Sequence, residues 1–419
     1  MRKIYHEINK CRGCGNTALL PILSLGEQAL TGVFPKTKSQ EVPVGPLELV
    51  KCDDRKGDFC GLLQLKHSYE STALYGDGYG YRSSLNKSMV AHLHAKVKRI
   101  VDMGVLKSGD LVIDIGSNDG TLLKAYPKEG ITFAGIDPSA GGFKKYYPEH
   151  IALYPDFFSA KLVKAAFGAR KVKVVTSIAM FYDLEEPVEF MRQVHEILDD
   201  QGVWVLEQSY MPTMLKRIAY DTICHEHLEY YGLKQIQWMA KHVGFQIVDV
   251  ELNDINGGSF SVMLSKNRKA NKEQQAYIDL LLKQEEEDGL STLKPYETFK
   301  QDVFHHRDEL KAAVEKIKKE GKTLIGYGAS TKGNVILQFC GFTEKDLPCV
   351  AEVNQDKFGS FTPGTLLPIV SEEQAKAKNP DYMMVLPWHF KDNIIAREQG
   401  YLKSGGTLFF PLPRLEMID

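Results

Sequence analysis

Twelve consecutive residues, Tyr220-Asp-Thr-Ile-Cys-His-Glu-His-Leu-Glu-Tyr-Tyr231, gather two imidazoles, three carboxylates, a thiol and three phenols. Removing a proton from carbon needs a group that takes it up near neutral pH, and His225, Glu226 and His227 are such groups. A helical path would set Cys224 beside His227, whereas an extended path would put His225 and His227 on one face. Spacing therefore leaves the choice of base between the two imidazoles open. The bland alternative is a buried polar cluster that only organises an interface.

A second set of reactive residues lies near the start. Cys11-Arg-Gly-Cys14 is a C-x2-C knuckle, and Cys52 with Cys60 forms a wider pair. Four thiolates complete a tetrahedral zinc shell with no open position, so the metal is expected to be structural. It would hold together residues 1–68, a segment of short strands and turns with little core of its own. Seven Cys in 419 residues are too few for a disulfide framework.

The elements that must position these groups follow an alternating pattern from residue 109. Leu111-Val-Ile-Asp114-Ile-Gly116-Ser117-Asn118-Asp-Gly120 reads as a buried strand, a glycine turn and a helix start. Gly116 and Gly120 let backbone approach a ligand, and Asp114 can orient the turn or a ligand amino group. The pattern D-x-G-x-x-x-G differs from the dinucleotide fingerprint and resembles the first motif of class I S-adenosylmethionine-dependent methyltransferases. Asp137 ends the next strand, placed to accept from ribose hydroxyls. Asp156 and Phe157 would supply an acid and an apolar wall for adenine, and Ser177 ends the fourth strand. Residues 244–251 and 256–264 read as closing antiparallel strands. Their turn, Asn256-Gly257-Gly258-Ser259, is either a plain hairpin or a receiver of a substrate oxygen.

The segment Leu74–Ser84 is rich in Gly and Tyr, a loop whose phenols could line a pocket, followed by a helix over about 85–103. His92 and His94 on that helix have no evident partners and are read as structural, and His305 and His306 further on carry no chemical weight. Residues 267–320 are charged with helical spacing, including Gln284–Asp288, and should form linking helices with solvated outer faces. A second strand, glycine turn and helix begin at Thr323-Leu-Ile-Gly326-Tyr327-Gly328-Ala-Ser330-Thr-Lys332-Gly333-Asn334. The helix start forms an anion site to which Lys332 adds a charge suited to a diphosphate, and Glu352 stands near ribose distance. Trp388 either stacks on a base or fills core, with core slightly favoured.

These motifs together resemble the nucleotide-sugar C-methyltransferases of deoxysugar biosynthesis, over essentially the whole chain. The resemblance implies an α/β protein in three parts: an N-terminal zinc-binding domain, a central class I methyltransferase (Rossmann-like) domain over 69–266, and a helical linker with a C-terminal Rossmann-like domain over 267–419. It implies S-adenosylmethionine and structural zinc as cofactors, and as substrate a 4-keto-6-deoxysugar linked to dTDP and methylated at C-3 with inversion. His227 is then the base, with Glu226 orienting it or binding sugar and His225 as the fallback. Cys224, the Asn256–Ser259 turn, Tyr327, Ser330, Lys332, Asn334, Glu352 and Trp388 would face the substrate. The chain departs from the family pattern in having Cys224 before His-Glu-His where Tyr is usual, and Phe181 where His is usual. Orientation of the sugar or stabilisation of the enolate then falls to other groups, with Tyr79, Tyr81, Tyr182 and Tyr220 the candidates.

The formal net charge of −2 gives no basic face, which argues against nucleic acid as a partner. No apolar stretch suits a membrane span or a signal peptide, so a cytoplasmic protein, monomeric or a simple homo-oligomer, is expected. An RNA methyltransferase with a zinc module, a nicotinamide-dependent sugar oxidoreductase and a non-catalytic S-adenosylmethionine sensor are the competing classes.

Overall fold

The computed structural model describes residues 4–70, 74 and 82–419. Tyr79 and Tyr81 lie outside the described residues. The central unit is a seven-stranded sheet of β6 (Leu111–Ile115), β7 (Thr132–Ile136), β8 (Ile151–Tyr154), β9 (Val172–Ile178), β10 (Leu198–Ser209), β12 (Gln246–Asn253) and β13 (Ser259–Ser265). Their order is β12-β13-β10-β9-β6-β7-β8. Strands β6 to β10 run parallel, and β13 pairs antiparallel with both β10 and β12. Every residue of β6 is buried, as a strand covered on both faces requires. The chain leaves β6 toward β7 on one side and reaches β9 on the other. That reversal opens a crevice at the carboxyl end of β6, where Gly116–Gly120 sits.

The C-terminal sheet repeats this logic. Strands β14 (Leu324–Tyr327), β15 (Val350–Glu352), β16 (Ile369–Ser371), β17 (Tyr382–Val385) and β18 (Thr407–Phe410) are parallel, and β19 (Glu416–Ile418) closes the edge antiparallel. The order β16-β15-β14-β17-β18-β19 puts the reversal at the end of β14. Gly328 follows there with φ +83°, and an added Cβ would meet Pro387 at 2.6 Å. Only glycine combines that left-handed φ with so close a neighbour.

The N-terminal segment is interlocked with the rest. Strands β2 (Leu19–Ala29), β3 (Val44–Cys52) and β4 (Leu63–Leu65) form a sheet whose fourth member is β11 (Glu229–Tyr230), the strand that directly follows the His-Glu-His segment. The β2–β3 connection reaches the C-terminal unit: Phe361 N donates to Pro35 O at 2.8 Å, and Lys36 Nζ donates to Asp356 O and Ser360 Oγ, both at 2.9 Å. Gln338 brackets Ala29 from the helix Thr331–Cys340.

Residues Lys272–Glu287 and Lys294–Lys319 form the two expected helices. One part of that reading needs correction: Glu285 is not on a solvated face. It is 3 % exposed, and its carboxylate accepts from Leu233 N at 2.6 Å, Lys234 N at 3.0 Å and the Tyr210 hydroxyl at 2.7 Å. It thereby satisfies amides at the start of the helix Leu233–Val243, which has no side chain of its own at the first position to do so. No helix among the described residues is long and apolar enough to cross a membrane.

Candidate functional site

The four sulfurs of Cys11, Cys14, Cys52 and Cys60 lie within 4.8 Å of one another, with Cys11–Cys60 and Cys14–Cys52 each at 3.5 Å. Tetrahedral zinc with bonds of about 2.3 Å asks for sulfurs about 3.8 Å apart, so the set fits. Gln64 Nε2 points at Cys11 Sγ (3.2 Å) and Asn16 Nδ2 at Cys52 Sγ (3.5 Å). Such amide donors suit thiolates already stripped of their protons. Gly13 has no room for a side chain, since a Cβ would lie 3.0 Å from Cys60 Sγ.

At the crevice beyond β6, Gly116, Asn118 and Gly120 all have positive φ. An added Cβ on Gly135, in the adjacent strand β7, would meet Ser117 Oγ at 2.5 Å. Asp137 holds this turn by accepting from Asn118 N at 2.8 Å through Oδ2, while Oδ1 takes Ser139 N and Oγ. Its Oδ2 retains a lone pair for a ligand hydroxyl. Asp114 accepts from Thr176 Oγ1 at 2.6 Å, and burial raises its pKa to about 7. A ligand cation is the partner such a carboxylate lacks. Ser83 N and Ser84 N donate to the side chains of Asn118 and Asp119, laying the start of the helix Lys87–Asp102 across the turn. The glycine cradle and the two acids fit a nucleoside cofactor with an amino group. Asp156 and Phe157 lie on the exposed rim, Phe157 at 55 %. Ser177 is turned elsewhere: it is fully buried and accepts from Trp204 Nε1 at 2.9 Å, so its hydroxyl is spent inside the sheet packing.

The His-Glu-His segment follows neither regular path considered from its spacing. A short 3-10 turn over Tyr220–Thr222 leads into it, and its two imidazoles diverge. His225 is fully buried, donates from Nε2 to Gly45 O at 3.2 Å and meets the Tyr69 ring edge-on. Burial lowers its pKa to about 4. It packs against the N-terminal strands through Gly45 and Tyr69. His227 is half-buried and donates from Nδ1 to Thr222 O at 2.8 Å, which leaves the Nε2 lone pair as its basic site. Tyr182 lies against it, with ring centres 4.3 Å apart. Burial first and the Lys332 cation second lower the His227 pKa to about 3.

Three chain segments converge here. Thr31 Oγ1 donates to Glu226 Oε2 at 3.3 Å, and a Cβ on Gly32 would strike Glu226 Oε1 at 2.5 Å. Asn334 Nδ2 donates to Thr31 O at 2.8 Å. From the C-terminal unit, Lys332 Nζ donates to Asn256 O at 2.8 Å, joining its helix to the Asn256–Ser259 turn. Trp388 Nε1 donates to Asp221 Oδ2 at 2.7 Å, and the indole packs on Gly257. Trp388, 5 % exposed, is thus an interface anchor that fills the seam between the two units. Ser330 Oγ accepts from Gly333 N, capping the helix start. Glu352 is taken up by Ala329 N, Val353 N and Asn354 N, and so shapes the crevice through backbone. The Tyr327 hydroxyl donates to Glu398 at 2.6 Å. Gly258 crowds Thr213, where a Cβ would come within 2.4 Å, and Ser259 Oγ donates to Ile255 O, so both build the turn.

Cys224 is buried, and burial pushes its thiol well above the usual range. Phe181 stands in the core against Trp204 and Tyr231. Tyr220 is fully enclosed against Phe339 and His306, which removes it from the sugar-orienting candidates. His92 has a partner after all: Nε2 lies 2.5 Å from Glu207 Oε1. Thr31, Gly32 and His389 carried no signal in the sequence, because each reaches the site only through long-range packing.

Three family models tile the chain in order: a zinc binding domain over residues 11–75, a methyltransferase domain over 87–250 and a C-methyltransferase C-terminal domain over 254–413. The chain is an S-adenosylmethionine-dependent C-methyltransferase. Zinc is its second cofactor, held by the Cys cluster of the N-terminal unit. The C-methyltransferase is similar along its whole length to C-methyltransferase NovU of Streptomyces niveus, at 29 % identity over 422 residues, covering 100 % of this chain and 99 % of the relative. Among solved structures it is similar to an S-adenosylmethionine-dependent methyltransferase from Archaeoglobus fulgidus (16 % identity, 42 % of this chain, 93 % of that one, TM-score 0.34). It is likewise similar to the plantazolicin methyltransferase BpumL bound to an analogue and S-adenosylhomocysteine (14 %, 44 % and 88 %, TM-score 0.35).

Proposed function

We propose that this C-methyltransferase alkylates the carbon next to the ketone of a nucleotide-linked 4-keto-6-deoxysugar, at C-3, with dTDP as the carrier and inversion at the carbon. One observation carries the reading: a lysine at the glycine turn of the C-terminal crevice, Lys332, donates to Asn256 O at the rim of the methyltransferase sheet, and its charge helps keep His227 neutral. On this reading an anion site and a neutral base share one mouth. A diphosphate at Ser330 and Lys332 would leave its sugar beside His227, while Asn334, fully buried with its amide N–H given to Thr31 O, holds the segment behind them.

S-adenosylmethionine supplies an electrophilic methyl when bound; Asp114, the Gly116–Gly120 turn and Asp137 are the residues that would hold it. His227 takes the proton next to the ketone on Nε2, and its Nδ1–H bond to Thr222 O holds the ring and steadies the imidazolium that forms. The pair of electrons left on carbon spreads onto the ketone oxygen as an enolate. Burial raises the Glu226 pKa, and a carboxyl that holds its proton there would donate to that oxygen.

The reading is tested with keto sugars on dTDP, UDP, GDP and CDP, assayed by mass for a gain of about 14 units, roughly one CH2, and for loss of deuterium from the attacked carbon. Methylation of a dTDP-4-keto-6-deoxysugar with matching deuterium loss is the expected result. Turnover of none of the sugars, or methylation without deuterium loss, refutes it.

A further inference from the structure

The proposed reaction makes no use of His389, yet this imidazole stands against the Asn256–Gly257 turn that Lys332 reaches. It belongs to the short turn Trp388–Phe390 that follows β17, on the crevice side of the C-terminal sheet. Trp388 fixes that turn to Asp221, and the turn packs on the 3-10 segment Ile255–Gly257, where a Cβ added to Gly257 would lie 3.9 Å from His389 Cβ. The ring is half-buried, rests against Phe390 with centres 4.3 Å apart, and has a buried Nδ1 with no hydrogen-bond partner. A buried ring nitrogen without a partner costs free energy unless a ligand supplies one.

The neighbouring charge is equally incomplete. Lys332 Nζ has a carbonyl, Asn256 O, as its hydrogen-bond partner and makes no ion pair among the described residues. Asp221, the acid within its field, gives Oδ2 to the Trp388 indole, and burial raises its pKa toward the protonated form. Lys332 acts electrostatically on both His227 and His389. An anion at Lys332 would therefore adjoin the base on one side and His389 on the other.

Building on the nucleotide-sugar reading, we propose that His389 is a binding residue for the phosphate nearest the sugar, donating a hydrogen bond from its imidazole to a phosphate oxygen that Lys332 also holds. The sugar-proximal phosphate is chosen because His389 packs on the Asn256–Gly257 turn of the methyltransferase unit. The remaining phosphate and the base extend along the helix start at Ser330, deeper in the C-terminal crevice. No bond forms or breaks at His389, so its contribution is to substrate affinity.

The test compares dTDP with dTMP by calorimetric titration of the zinc-loaded full-length protein, as wild type, His389→Ala and His389→Asn. S-adenosylmethionine affinity serves as the check on folding. In His389→Ala, dTDP affinity should fall about ten- to a hundredfold, the worth of one charge-assisted hydrogen bond, while dTMP changes by less than about twofold. His389→Asn keeps an N–H near the Nδ1 position and should recover most of the loss. Equal losses for both nucleotides, or unchanged dTDP affinity in a His389→Ala protein that still binds S-adenosylmethionine, overturn the assignment alone. Should wild type bind none of dTDP, UDP, GDP and CDP, the nucleotide-sugar reading falls as well.

Discussion

Replacing His227 with Asn removes the Nε2 lone pair while keeping an N–H close to the Nδ1 position, so the bond to Thr222 O that holds the segment can persist. A positioned general base contributes about 10²- to 10⁴-fold, and kcat should fall by that factor. The residues that would hold S-adenosylmethionine, Asp114, the Gly116–Gly120 turn and Asp137, are fixed by partners other than His227, Thr176 for Asp114 and the turn's own Asn118 N for Asp137, so cofactor affinity should hold within about twofold. The wild-type pH profile gives an independent check. An imidazole of pKa near 6.5 would be about 97 % protonated at pH 5, costing roughly thirtyfold in kcat/KM between pH 8 and 5. Burial and Lys332 place His227 at about 3 in the free enzyme, so kcat/KM should lose almost nothing to this group over that range. The assay is steady-state methyl transfer with deuterium washout followed in parallel. Retention of more than about a tenth of kcat by His227→Asn, or a thirtyfold acid limb that vanishes in the variant, would show the reasoning to be mistaken.

Chelating zinc, or Cys52→Ser, should abolish turnover before the central sheet melts, because β4 joins the Cys60 knuckle to the strand following His227; limited proteolysis and circular dichroism would separate the two events. Gly32→Ala should cut kcat at least about tenfold with little change in Tm, since the new methyl meets the Glu226 carboxylate at 2.5 Å and the flexible side chain swings away; unchanged turnover would dismiss a role for Glu226. His225 is neutral in the fold with a pKa of about 4, against 6.5 unfolded. Its contribution is therefore full above about pH 6.5 and is lost as the pH falls toward 4, by at most about 3 kcal/mol. His225→Gln should flatten that part of the stability curve in denaturant titrations, and an identical slope would refute this.

The parts legible in the sequence were those written locally. Asp114, Gly116 and Gly120 sit on one strand and its turn, and a buried strand entering a glycine turn has few other structures open to it. The Cys cluster was legible for the same reason, since thiolate spacing is itself a geometric statement. Glu285 was misread because a charged run normally faces water, and nothing local announces that one of its carboxylates will cap a helix fifty residues earlier. His225 and His227 were indistinguishable because the turn between them is irregular; their separation depends on Gly45 and Thr222, which lie on different elements. Trp388 and Ser177 each satisfy a distant partner, Asp221 and Trp204, and such pairings come only with the tertiary fold.

The pairing of Glu229–Tyr230 with Leu63–Leu65 bears on how the chain matures and on how it can be re-engineered. A ribosome that has delivered the four cysteines has not yet delivered the last member of their sheet, which arrives more than one hundred and fifty residues later. Early metal capture would hold a half-finished scaffold open until the Rossmann core has been threaded past it. Chimeras between relatives that exchange the cysteine segment without residues 228–231 should accordingly inherit a torn seam beside His227.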